Sequence, residues 1–166
     1  MRKRTLKLTT LALTISFAMV LSYIESRIPA FVAIPGIKVG LANIAVIFTL
    51  YKLGVKEAIT VSIIRVLLVS MLFGSPVSMI YSISGAVLSL LAMVILKKLT
   101  PLSEVAISVT GGVMHNVGQI AAASFMLSTN VVVYYLPFLL VSGSIAGIVV
   151  GIVSAILVKK VRIEYK

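Results

Sequence analysis

Residues 131–158 read VVVYYLPFLLVSGSIAGIVVGIVSAILV, a run without one charged side chain, and Lys159, Lys160 and Arg162 close it. A helix needs roughly 20 apolar residues to cross the hydrocarbon core of a bilayer. This run exceeds that length, so it predicts a tilted membrane-spanning helix. Working back toward the N-terminus, similar runs occupy 103–127, 77–96 and 55–73, with a shorter one at 39–53 and another at 7–28. The stretches between them carry turn chemistry: Ser128-Thr129-Asn130, Thr100-Pro101 and Gly74-Ser75-Pro76. The expected fold is therefore all-α, a bundle of six transmembrane helices forming one integral membrane domain over 1–166.

Composition agrees. Of 166 residues, 60% are hydrophobic and the mean hydropathy is +1.20. A soluble domain is about half apolar, and a chain this short has too small a core to hide the excess. Lipid takes that role. The net charge of +11 does not point to nucleic acid, because the basic residues stand in short clusters between apolar runs instead of forming one basic face.

Those clusters set the orientation. With the N-terminus inside, twelve basic residues fall on cytoplasmic segments, from Arg2, Lys3 and Arg4 to Lys166, and only Arg27 and Lys38 fall outside. Cytoplasmic loops carry the excess of Lys and Arg. The expectation is a multi-pass protein of the cell membrane with both termini cytoplasmic. The basic N-terminus ahead of Leu11–Leu21 also resembles a signal peptide, but no small-x-small cleavage site follows, so an uncleaved helix is expected.

Small residues recur at helical spacing. Gly143, Gly147 and Gly151 form a stripe on the sixth run, Ala12 and Ser16 a pair on the first, and Ser78, Ser82, Ala86 and Ser89 a face on the fourth. Such faces let helices approach closely, either inside the bundle or against a partner membrane protein. The outer segment from Pro29 to Lys38 is too apolar for a solvated loop and holds two prolines, which suggests a lid over the bundle mouth.

Polar residues inside spans are costly and mark function by default. Arg65 lies midway along the third run. His115, Asn116 and Gln119 occupy the fifth from its middle outward, and Asn43 lies near the outer end of the second. Glu25, Arg27 and Lys38 stand at the outer boundary, and the inner half holds no ionisable group away from its edge. The expectation is a polar cavity facing outward, with substrate-binding residues Arg65, His115, Asn116, Gln119, Asn43, Glu25 and Lys38. Arg65 would grip an anionic or acceptor-rich small molecule. The alternative reading pairs Arg65 with Glu25 as a structural ion pair and uses the amides as interhelical bonds. Gly112, His115 and Gln119 are expected on one face.

Catalytic chemistry is absent. No Walker A sequence occurs, Cys and Asp are missing, and the single His and four Glu residues make neither a metal site nor a carboxylate pair. No cofactor, metal or enzymatic role is expected.

Tyr23-Ile24-Glu25-Ser26-Arg27-Ile28-Pro29, Pro35 to Asn43, Arg65-Val66-Leu67-Leu68, Phe73-Gly74, Gly111 to Gln119, Tyr135-Leu136-Pro137 and Ser142-Gly143 resemble a family labelled Gx transporter or heptaprenyl diphosphate synthase component I. The second label implies a role in making the prenyl chain of menaquinone. Prenyl elongation uses Asp-rich magnesium motifs, so a chain without Asp would be an accessory subunit beside a prenyl synthase. The architecture is similar to the S-components of energy-coupling-factor transporters. That resemblance implies uptake of a vitamin-like molecule, with Ala12 and Ser16 docking a transmembrane coupling subunit that two ATPases energise. The leading expectation is such a substrate-binding subunit; the alternative is an accessory subunit of prenyl-lipid or membrane redox metabolism.

Overall fold

The computed structural model describes residues 2–27 and 40–161, all in helices and short connections. Six α-helices follow in order: α1 (Arg2–Arg27), α2 (Asn43–Lys52), α3 (Val55–Phe73), α4 (Pro76–Leu99), α5 (Glu104–Leu127) and α6 (Leu136–Lys160). A short 3-10 helix, Val131–Tyr135, leads into α6.

Local chemistry sets the helix starts. At α4, Ser75 Oγ accepts from Ser78 N–H at 3.1 Å, and Ser78 Oγ accepts from Ser75 N–H at 2.8 Å. This capping box, with Pro76 in the first turn, satisfies donors that a helix end leaves open. Ser103 Oγ does the same for α5, accepting from Ala106 N–H at 3.3 Å. The start of α2 is set by Gly40, whose φ of +75° turns the chain and delays the helix to Asn43.

That delay corrects the expected span at 39–53. With 10 residues, α2 is about 15 Å long, half the bilayer core of roughly 30 Å. Among the described residues, three segments are long and apolar enough to cross a membrane: Arg4–Glu25, Pro76–Leu99 and Val131–Lys160. Lys56, Glu57 and Arg65 interrupt α3, and the Gly, Ser, Thr and amide positions of α5 dilute its hydropathy.

Contacts fix the directions. The Lys7–Glu57 ion pair and the Tyr23–Phe73 ring contact at 5.5 Å join the two ends of α1 to the matching ends of α3, so these helices are parallel. Gly112 meets Gly143 and Gly151 meets Val105, so α5 and α6 are antiparallel. Gly118 meets Ser84 and Gly111 meets Met93, so α4 and α5 are too. The C-terminal ends of α2 and α4 coincide, where Lys97 Nζ donates to the Leu50 carbonyl and lies 4.3 Å from the Tyr51 ring centroid. One end of the bundle thus gathers Lys7, Lys52, Lys56, Lys97, Lys98, Lys159 and Lys160. The other end holds Glu25, Asn43 and the α3–α4 turn.

The core lies around α2, with Ile47, Leu50, Val61 and Ile107 at 1% exposure or less. The exterior is apolar: Met71 is 78% exposed and Phe125 87%. Soluble monomers rarely carry contiguous apolar surface of this kind.

The glycine stripe of α6 is an internal seam. Gly143, Gly147 and Gly151 are buried against α5, and a Cβ on Gly147 would lie 2.6 Å from Val109 Cα. Of the two roles open to this stripe, packing within the bundle is the one realised.

Candidate functional site

Each of the six α-helices lends residues to one cavity of about 100 Å³. Its wall contains Glu25 of α1, Asn43 of α2, Arg65 of α3, and His115, Asn116 and Gln119 of α5. Six sequence-predicted site residues therefore line one space. The seventh, Lys38, lies outside the described residues, as does the proposed lid Pro29–Lys38.

The antiparallel path explains the convergence. Arg65 lies eight residues before the end of α3 at Phe73, roughly 12 Å along the axis. His115 and Gln119 approach α4 across Gly85, where a Cβ would lie 2.9 Å from His115 Cε1 and 3.0 Å from Gln119 Cγ. The missing side chain at Gly85 is the space these two residues occupy. Gly112 instead faces α6, 2.5 Å from the Gly143 carbonyl on the same measure. The expected common face of Gly112, His115 and Gln119 is therefore divided between two neighbours, although all three line the cavity.

The Arg65 guanidinium is the main electrostatic feature. Its Nε is shielded and finds no hydrogen-bond partner among the described residues. Glu25 acts on it through the field, while Glu25 Oε1 itself accepts from Gly40 N–H at 2.5 Å. An unsatisfied buried donor is costly, and guanidinium is built to meet carboxylate or phosphate oxygens in a fork. An acceptor-rich ligand would supply what the protein does not.

Asn116 is employed differently. Its Nδ2 donates to the Leu139 carbonyl of α6 at 2.6 Å, through the gap that Gly143 leaves, where a Cβ would lie 2.6 Å from that nitrogen. Asn116 is at once a cavity wall and an interhelical bond. Asn116→Ala is expected to lower stability by about 1 kcal/mol, read as a lower melting temperature in detergent; an unchanged melt would remove its structural role.

Serines were the missed residues. Ser22, Ser70 and Ser108 line the cavity, and so do Ser78, Ser82 and Ser89, which sequence spacing assigns to close packing. Ser108 Oγ is buried without a hydrogen-bond partner among the described residues. A hydroxyl on a small-residue face reads the same whether it meets a helix or a ligand, so spacing carries no signal for it. Ala12 and Ser16 are exposed on α1, away from the cavity. Among the described residues no three His, Cys, Asp or Glu side chains converge as a metal site.

The sequence model of one protein family, described as heptaprenyl diphosphate synthase component I, matches residues 14–157. No curated protein and no solved structure matches the chain.

Proposed function

Because the chain belongs to the heptaprenyl diphosphate synthase component I family, we propose that it is a non-catalytic membrane subunit of prenyl-lipid metabolism that holds an anionic head group in its cavity. The observation that carries this reading is Arg65, a shielded guanidinium with an unpartnered Nε in a cavity lined by hydroxyls and amides. The chain has no Asp with which to build the magnesium motif of prenyl elongation, so the bond-making step belongs to a partner prenyl synthase. The substrate-binding residues of this reading are Arg65, His115, Asn116, Gln119, Asn43 and Glu25, and the sequence adds Lys38 as a further candidate. Diphosphate is a suitable ligand because its oxygens accept in the fork geometry that guanidinium offers.

In this reading all six helices cross or enter the cell membrane. The shorter α2 and the more polar α3 and α5 are shielded by their neighbours, and both termini are cytoplasmic. The basic end of the bundle supports that orientation. The chain has no Cys, so single cysteines report cleanly. Ser128→Cys is expected to react with an impermeant thiol reagent on intact cells, and Ser103→Cys only after permeabilisation. The reverse pattern would invert the topology.

A second reading, uptake of a water-soluble small molecule with an energising partner, is favoured by the exposed small pair Ala12 and Ser16 on α1, which a coupling subunit could cover. Native mass spectrometry of the gently solubilised protein separates the two. A retained prenyl diphosphate or a copurified prenyl synthase supports the lipid role. A retained vitamin-like ligand with a coupling subunit and ATPases would replace it.

A further inference from the structure

Resting on the head-group reading above, the geometry points to a bound amphiphile whose prenyl chain leaves the cavity sideways between the outer ends of α1, α3 and α4. Two observations carry this. The first is shape. The lining extends along α4 from Ser78 to Met93, roughly 22 Å at the helical rise, yet the volume is about 100 Å³. The space is long and thin. An apolar cavity of about 150 Å³ holds a benzene ring, so this smaller one has room for a head group at most, and the prenyl chain must leave it.

The second observation is where the wall opens. Phe73 and Gly74, at the α3–α4 turn, are the two lining residues that are exposed; every other lining residue is buried or partly buried. Around this opening stand Tyr23, Met71, Leu72 and Val77, each at least 44% exposed, and the Tyr23 ring contacts that of Phe73. A mouth that opened to water for a hydrophilic solute would gain from a polar rim. Apart from Ser75, which is occupied in capping α4, the exposed side chains of this rim are apolar or aromatic, so it accepts a hydrocarbon chain entering from lipid. With the head at Arg65, the chain runs about 12 Å along α3 to Phe73 and continues into the bilayer.

The test uses the full chain in lipid nanodiscs and a prenyl diphosphate that carries a photoactivatable diazirine in its distal isoprene units. Adducts are mapped by peptide mass spectrometry. The expected result is labelling concentrated on residues 23–24 and 71–77, lost with excess inorganic pyrophosphate and lost in Arg65→Ala. Phe73→Ser is expected to move the adducts away from the α3–α4 turn. Labelling that pyrophosphate suppresses but that falls on Met93 or Val150 would overturn the sideways exit and leave the head-group reading standing. Labelling spread over the whole lipid-facing surface and indifferent to pyrophosphate would overturn both.

Discussion

Gly147→Leu is expected to abolish the folded monomer in mild detergent. Gly147 lies where α6 meets the α5 backbone, and a Cβ there would sit 2.6 Å from Val109 Cα and 3.0 Å from the Ser108 carbonyl. These are backbone atoms, so no side-chain rotation relieves the clash, and the helices must separate. Overpacking typically costs about 1–3 kcal/mol and sometimes more. Separation also opens the Gly112–Gly143 and Gly151–Val105 contacts along the same seam and removes the Asn116 bond to Leu139. Total stabilities are about 5–15 kcal/mol, so losing one seam from end to end consumes much of the margin. The neighbouring Ile148 faces outward at 45% exposure, and Ile148→Ala is expected within about 0.5 kcal/mol of the parent. Thermal unfolding of the pair in detergent is the measurement. Equal melting of Gly147→Leu and the parent would show that this seam does not hold the bundle.

Arg65→Met is expected to eliminate binding of the anionic ligand while leaving the protein as stable as before, or more stable. The direction follows from the partners. If Arg65 were half of a structural ion pair with Glu25, breaking it would cost about 3–5 kcal/mol, because a buried charge would lose its counter-charge. The Arg65 Nε has no partner among the described residues, and Glu25, which accepts from Gly40 N–H, is a nearby counter-charge that leaves this nitrogen unsatisfied. Replacing a poorly satisfied charge with an apolar side chain of similar reach is often neutral or stabilising by about 1–4 kcal/mol. If the charge is kept at such a cost, binding is its purpose. Pyrophosphate binding and thermal unfolding, measured on the same preparation, make the test. Lost binding with an equal or higher melt supports the site. A large drop in the melt assigns Arg65 to the structure instead, and retained binding removes it from the site altogether. Arg65→Lys keeps the charge but not the fork, and is expected to bind more weakly than the parent.

How much of this could be read beforehand differs from element to element. The uncharged run at 131–158 required a helix, because lipid leaves no other partner for the backbone polar groups of a long apolar segment. The basic clusters between runs determined which helix ends lie together. Arg65, His115, Asn116, Gln119, Asn43 and Glu25 could be selected because polar groups stand out in apolar segments, and their placement from mid-depth to the outer boundary was an expectation from counting residues along alternating helices. Membership of the family also lay in the order of residues.

Other features depended on tertiary structure. The 39–53 run reads as a span, but with Gly40 at φ +75° residues 40–42 stay out of the helix, a backbone choice that hydropathy cannot register. The glycine stripe of α6 had the same spacing for a partner as for α5, and only the contact with Val109 chose between them. Ser78, Ser82 and Ser89 looked like packing residues until the shape of the bundle left a cavity in front of them. The division of Asn116 from Arg65, one amide committed to a carbonyl and one guanidinium with its Nε unpartnered among the described residues, depends on how closely the helices approach. Periodicity tells which side of a helix is polar. What that side meets is decided by the neighbouring helices.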